Sequence, residues 1–199
     1  GVYGRPRIDK ELVEKYHEDL IICSACIGGE IPQHILNGRM DKAEESVLWF
    51  KNLFGEDYYL EIQRHETHDP NAAQDVYPHQ VTANKAILEL ARKHNIKVIA
   101  TNDVHFVNAE DAEAHDRLIC LSTGKDLDDP NRMRYTKQEW MKTTAEMNTI
   151  FSDIPEALSN TLEIADKVEF YSIDHGPIMP TFAIPEDFGT EEEYRQKFT

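Results

Sequence analysis

The sequence predicts an α/β protein built on a parallel sheet and followed by a run of helices. Three observations carry this reading. Short, near-continuous apolar runs occur at 20–25, 58–63 and 97–101; amphipathic helical segments lie between them; and the strand signal stops after residue 106. Strands buried on both faces read as unbroken apolar runs, and β-α-β alternation places such strands parallel, with helices on the sheet's faces, whether the sheet is open or closed into a barrel.

Each element has its own local signal. Leu20-Ile21-Ile22-Cys23-Ser24-Ala25 is short and β-branched at its centre, and Gly28-Gly29 breaks it before a helix from Glu30 to Leu36 that stops at Asn37-Gly38. Between Met40 and Phe54, Ala43, Val47, Phe50 and Phe54 recur at helical spacing, and Gly55 follows as a C-cap. Tyr58 to Gln63 alternates and is rich in aromatic and β-branched residues, then runs into a polar loop from Arg64 to Asp75. A helix from about Tyr77 to His94 puts Val81, Ile87, Leu88 and Ala91 roughly on one face, and Asn95 stops it before the third strand, Lys97 to Thr101.

Beyond residue 106 the expectation is helical. Helices are predicted over Ala109–Cys120, Lys137–Phe151 and Pro155–Val168, with a loop from Gly124 to Met133. From Tyr171 onward, prolines 177, 180 and 185 indicate an extended connector. Thr190-Glu191-Glu192-Glu193 then reads as an N-cap signature opening a last helix, so the chain is expected to be a piece of a longer protein.

Composition excludes several classes. The 199 residues carry 40% hydrophobic and 29% charged side chains, enough for one compact domain with a tail. No stretch approaches the roughly 20 apolar residues of a membrane span, and Gly1-Val2-Tyr3-Gly4-Arg5 lacks the layout of a signal peptide; a cytoplasmic protein is expected, with no membrane partner. Three cysteines are too few, and odd in number, for a disulfide framework. A net charge of −16 argues against a domain that grips duplex DNA by itself. Neither a Gly-rich phosphate loop nor a Gly-x-Ser-x-Gly elbow is present.

Ligands of parallel α/β folds sit at the C-terminal ends of the strands. That rule singles out Cys26 and Glu30 after the first run, His65 and His68 after the second, and Asn102-Asp103-Val104-His105 after the third. On an extended chain Asp103 and His105 point to one side, so a carboxylate and an imidazole converge on one ion; alternatively Asp103 caps a turn and His105 is a solvated loop residue. Cys23-Ser24-Ala25-Cys26 has C-x-x-C spacing but lacks the second ligand pair of a zinc finger. Cys23 therefore reads as a small buried hydrophobe and Cys26 as the thiol exposed to the site. Glu61 and His65 are expected to line the same pocket, against the alternative that His65 and His68 are solvated loop histidines, and His115-Asp116 reads as an exposed polar pair on a helix.

Six blocks carry a resemblance that spacing alone does not supply. They are Leu20 to Pro32, Tyr59 to Gln63, Ala100 to Phe106, Asp111 to Asp116, Leu127 to Arg134 and Ile154 to Thr161. In this order they resemble the alpha-subunit family of bacterial DNA polymerase III, in the later part of its N-terminal PHP (polymerase and histidinol phosphatase) domain. The resemblance implies that residues 1–170 are the C-terminal part of a distorted (βα)7 TIM-like barrel, incomplete here, and that 171–199 lead toward the polymerase palm. It implies a divalent metal, zinc or manganese, at the barrel mouth of the intact protein, with Asp103 and His105 matching the last metal-binding motif and Cys26 an earlier ligand. It also implies magnesium at a polymerase site outside this chain, DNA and other replicase subunits as partners, and a 3′–5′ exonuclease at the mouth in some members. The family's first motif, a His-x-His pair, is absent here. Two further readings stay open: a metal-free module that supports the polymerase or docks a partner, and a stand-alone PHP phosphoesterase.

Overall fold

The computed structural model describes residues 7–180 and 189–198; the terminal stretch Gly1 to Arg5 and Pro185, on which two of the readings above fall, lie outside them. The chain divides into two units, Gly1–Lys167 and Val168–Thr199.

The first unit holds α1 (Lys10–Lys15), β1 (Ile22–Cys23), α2 (Glu30–Leu36), α3 (Met40–Phe54), β2 (Tyr58–Ile62), α4 (Val76–His94), β3 (Val98–Ala100), α5 (Ala112–Thr123), α6 (Thr144–Ile150) and α7 (Pro155–Lys167). The strands form one parallel sheet in the order β1-β2-β3, with Ile22 opposite Tyr58 and Leu60 opposite Val98. The α/β expectation holds. All three strand ends therefore open on one edge of the sheet, where the sequence placed its candidate residues.

The core follows from the helical stripes. Ala43, Val47 and Phe54 of α3, Ala83, Ile87, Leu90 and Ala91 of α4, and Ile31 and Ile35 of α2 are buried with Leu60, Ile62, Val98 and Ala100 of the sheet. Each of the larger side chains among them contributes on the order of 1.5–3 kcal/mol on burial, so these stripes hold the helices against the strands. Asn95 ends α4 in the left-handed region at φ 51°, a conformation Asn tolerates at a helix end. Helix α7 packs against β3, where Asn160 Nδ2 donates to the Val98 carbonyl at 2.8 Å.

Two elements depart from expectation. The first strand is shorter than 20–25 because Ala25 turns to φ +64°. The ladder is continued by side chains instead: Ser24 Oγ accepts from Glu61 N at 2.8 Å, and Glu61 Oε2 accepts from Ala25 N at 2.6 Å. The turn then runs so close to itself that a Cβ on Gly29 would lie 2.5 Å from the Ser24 carbonyl oxygen, so only glycine fits there.

The second departure is residues 137–143, expected to be helical and found irregular. Lys137 has φ +64°, and Phe106 and Trp140 form a parallel bridge. Asn102 Nδ2 donates to the Gln138 and Trp140 carbonyls at 3.0 and 2.7 Å. Those carbonyls, once committed to Asn102, do not serve a helical ladder. Helix α6 starts only at the Thr143–Glu146 capping box, where Glu146 Oε2 accepts from Thr143 N at 2.7 Å.

The second unit is irregular over 168–180 and contains α8 (Glu191–Phe198). Its start is fixed as the sequence predicts: Glu193 Oε2 accepts from Thr190 N at 2.8 Å and from Thr190 Oγ1 at 3.1 Å.

Candidate metal centre at the strand ends

The site begins with the carboxylate of Glu61 in β2, which ties together the ends of all three strands. Its Oε2 receives Ala25 N, after β1, and its Oε1 receives the Thr101 hydroxyl, after β3, at 2.8 Å. Glu61 and Cys26 line a pocket of about 10 Å³, room for one water molecule. Cys26 is half-buried. Burial pushes the Cys23 thiol up to about 11, with the Glu61 charge adding to it, which leaves Cys23 protonated and inert.

His65 is not a solvated loop residue. It is 2% exposed, and both ring nitrogens are engaged: Gln80 Nε2 approaches Nδ1 at 3.1 Å, and Nε2 lies 3.2 Å from the Asn102 carbonyl oxygen. Gln80 Oε1 accepts from His65 N at 2.7 Å, which fixes the amide's orientation and makes its NH2 the donor toward Nδ1. His65 is therefore the Nε2–H tautomer, donating to Asn102. Burial holds its pKa below the ordinary histidine value, opposed by the Glu139 charge. His68, by contrast, is exposed.

Asp103 and His105 follow β3, but not on an extended chain. Asp103 has φ +44°, and the segment turns so that His105 Nδ1 lies 2.6 Å from Asp103's own carbonyl oxygen. The argument from alternating side chains is thus replaced by a local turn. A carbonyl only accepts, so Nδ1 carries the proton and Nε2 keeps its lone pair, the state an imidazole needs to ligate a metal. The ring is exposed and sits in an aromatic cluster, 4.6 Å from Tyr135 and 5.6 Å from His115 between centroids. Burial lowers the His115 pKa, and a charge on His105 acts in the same direction. His115 and Asp116 are thus not a free surface pair: Arg132 clasps Asp116 with two bonds of 2.6 and 2.7 Å.

Four residues at this edge escaped the sequence reading. Gln80 and Asn84 are polar side chains in the buried stripe of α4, and polar residues on an otherwise apolar helical face are the signal that marks them. Tyr135 lies among acidic groups, its pKa raised first by burial and then by Asp103, Glu139 and Cys26. Glu139, 2% exposed, accepts from Thr136 N at 3.0 Å and Thr136 Oγ1 at 2.6 Å on Oε1, while Oε2 is buried with no partner.

Among the described residues, no three His, Cys, Asp or Glu side chains converge to hold a metal ion. The donor types still suit one: a soft thiolate and an imidazole favour zinc, and a hard carboxylate favours manganese. A buried carboxylate oxygen without a partner is an atom that a cation satisfies.

A PHP-domain family model matches residues 1–65. The chain is 44% identical over 201 residues to the DNA polymerase III subunit alpha of Borreliella burgdorferi, covering all of this chain and 17% of that protein. It is 38% identical over 202 residues to that of Campylobacter jejuni, across 96% of this chain, and 36% identical over 207 residues to that of Thermus aquaticus, across 100%; each match spans 16% of the relative. The chain belongs to the DNA polymerase III alpha-subunit family. It spans about a sixth of the length of these relatives. No helix among its described residues is long and apolar enough to cross a membrane.

Proposed function

We propose that this chain is a segment of the catalytic alpha subunit of a cytoplasmic replicative DNA polymerase, its first 170 residues being the later part of a PHP domain with the (βα)7 TIM-like topology. The observation that carries this is similarity to polymerase alpha subunits along the whole chain. On this reading the intact protein makes DNA at a magnesium-dependent site outside this chain and works with DNA and other replicase subunits. The strand ends form a phosphoesterase-type mouth, acting as a 3′–5′ exonuclease.

At that mouth Asp103, His105 and Cys26 would hold a divalent zinc or manganese ion, which when bound supplies Lewis acidity and charge stabilisation for phosphodiester hydrolysis. The chain's own residues do the positioning. Asp103's carbonyl fixes the His105 tautomer, Glu61 holds the β1 and β3 ends at a set distance, and the His65–Gln80 pair locks β2 beneath them. One observation favours a second reading, a metal-free structural or docking module: both nitrogens of His65 are already committed to protein partners.

Primer extension and degradation of a 3′-labelled oligonucleotide by the intact protein separate the two. Polymerisation should persist in Asp103→Ala while hydrolysis is lost. Equal hydrolysis in both proteins favours the docking module, and absence of templated synthesis overturns the polymerase reading.

A further inference from the structure

We propose that Glu139 is a cation-binding residue of the mouth, its free carboxylate oxygen taking up a divalent ion beside the Asp103–His105 turn. The inference rests on the metal-site reading above and extends it to a residue outside the matched motif. Position is the first support: the Glu139 carbonyl accepts from His105 N at 2.8 Å, so the residue is pinned one backbone hydrogen bond from the turn. Head-group geometry is the second. Oε1 is held by both Thr136 donors, which fixes the carboxylate, while the buried Oε2 has no partner.

The third support is the lack of a resident counter-charge. Among the described residues no Lys or Arg side-chain nitrogen lies within 4 Å of the Glu139 carboxylate; the ion-pair distance it does show is 3.8 Å, to His65 Nδ1. That nitrogen accepts from Gln80, and it cannot take a proton unless the amide lets go of the His65 backbone. Lys142 is near enough to feel the Glu139 charge, yet its ammonium is committed to the Gln138 carbonyl and lies 3.4 Å from the Trp140 ring centroid. A buried carboxylate with one oxygen unpartnered and no counter-charge is costly, and it is relieved by a cation at Oε2.

The test is Mn2+ titration of the intact protein, followed by the paramagnetic resonance signal of the free ion, in wild type, Glu139→Gln, Glu139→Asp and Asp103→Ala. Glu139→Gln keeps the acceptor for Thr136 and removes the charge. It should weaken Mn2+ binding about 10-fold or more, while the metal-free protein unfolds at the same or a higher denaturant concentration, because an uncompensated buried charge is gone. Glu139→Asp, which keeps the charge, should retain more affinity than Glu139→Gln. Wild-type affinity in Glu139→Gln with affinity lost in Asp103→Ala would overturn the inference and leave the metal-site reading standing. A parallel loss of affinity and metal-free stability would assign Glu139 a structural role instead, and no Mn2+ binding by wild type overturns both.

Discussion

The side-chain amide of Gln80 clasps His65 at two points, accepting from its backbone N–H at 2.7 Å and reaching its Nδ1 at 3.1 Å. One helical residue thereby secures the end of β2 and decides which ring nitrogen of His65 carries the proton. Gln80→Leu keeps the bulk but strands both groups in a site that is 2% exposed. Each orphaned buried group costs about 1–3 kcal/mol, so the urea midpoint should fall clearly; an unchanged midpoint would show that the clasp does not hold β2.

The same burial makes stability depend on pH. Because His65 has a pKa below its ordinary 6.5 when folded, the unfolded chain binds more protons than the folded one as pH drops below that value. Stability is therefore fully present above about 6.5 and falls with acidification through the window beneath it. Unfolding free energy measured between neutral and mildly acidic pH should show this slope, and His65→Gln should make it shallower. Equal slopes would mean that His65 does not titrate as a buried neutral ring.

At the far edge of the sheet, Glu163 on α7 acts in the same sense but in a more acidic window. Lys97, bonded at 2.6 Å, and the Tyr59 hydroxyl, at 2.7 Å, hold its carboxyl down to about 2. This carboxylate contributes stability above its ordinary value of 4.5, and the contribution is lost as pH falls toward 2. Glu163→Gln should remove that part of the acid sensitivity while lowering stability at neutral pH. An identical acid limb in the variant would contradict it.

Much of this fold is legible in the sequence because its signals are local and agree with one another. The α3 and α4 stripes, the Asn95 stop and the Thr190–Glu193 box each specify an element without help from the rest of the chain. The two failures lie where distant side chains override local preference. Ala25 leaves the strand because Glu61, 36 residues away, takes its N–H, and 137–143 leaves the helix because Asn102 takes two of its carbonyls. For the candidate site, the position of Asp103 and His105 after a buried strand is readable, but the turn that sets the His105 tautomer is not. Glu139 was hidden for the same reason as its segment: its place beside the mouth follows from the long-range bonds that keep 137–143 out of a helix.

Charge yields a further expectation. With net charge −16, this region should add little to duplex affinity, since repulsion of phosphates opposes contact. Fluorescence anisotropy of labelled duplex DNA with the 199-residue chain should show weak binding or none. Tight binding that falls steeply with salt would contradict the assignment of DNA contacts to the rest of the intact protein.

Metal content tests the central claim most directly. The intact protein, purified without added metal and analysed by mass spectrometry of its ions, should carry zinc or manganese, and that content should drop sharply in both Asp103→Ala and His105→Ala while far-ultraviolet circular dichroism is unchanged. A metal-free wild type, or unaltered metal content in both variants, would contradict the metal-centre account and leave the hydrogen-bonded mouth as a structural module.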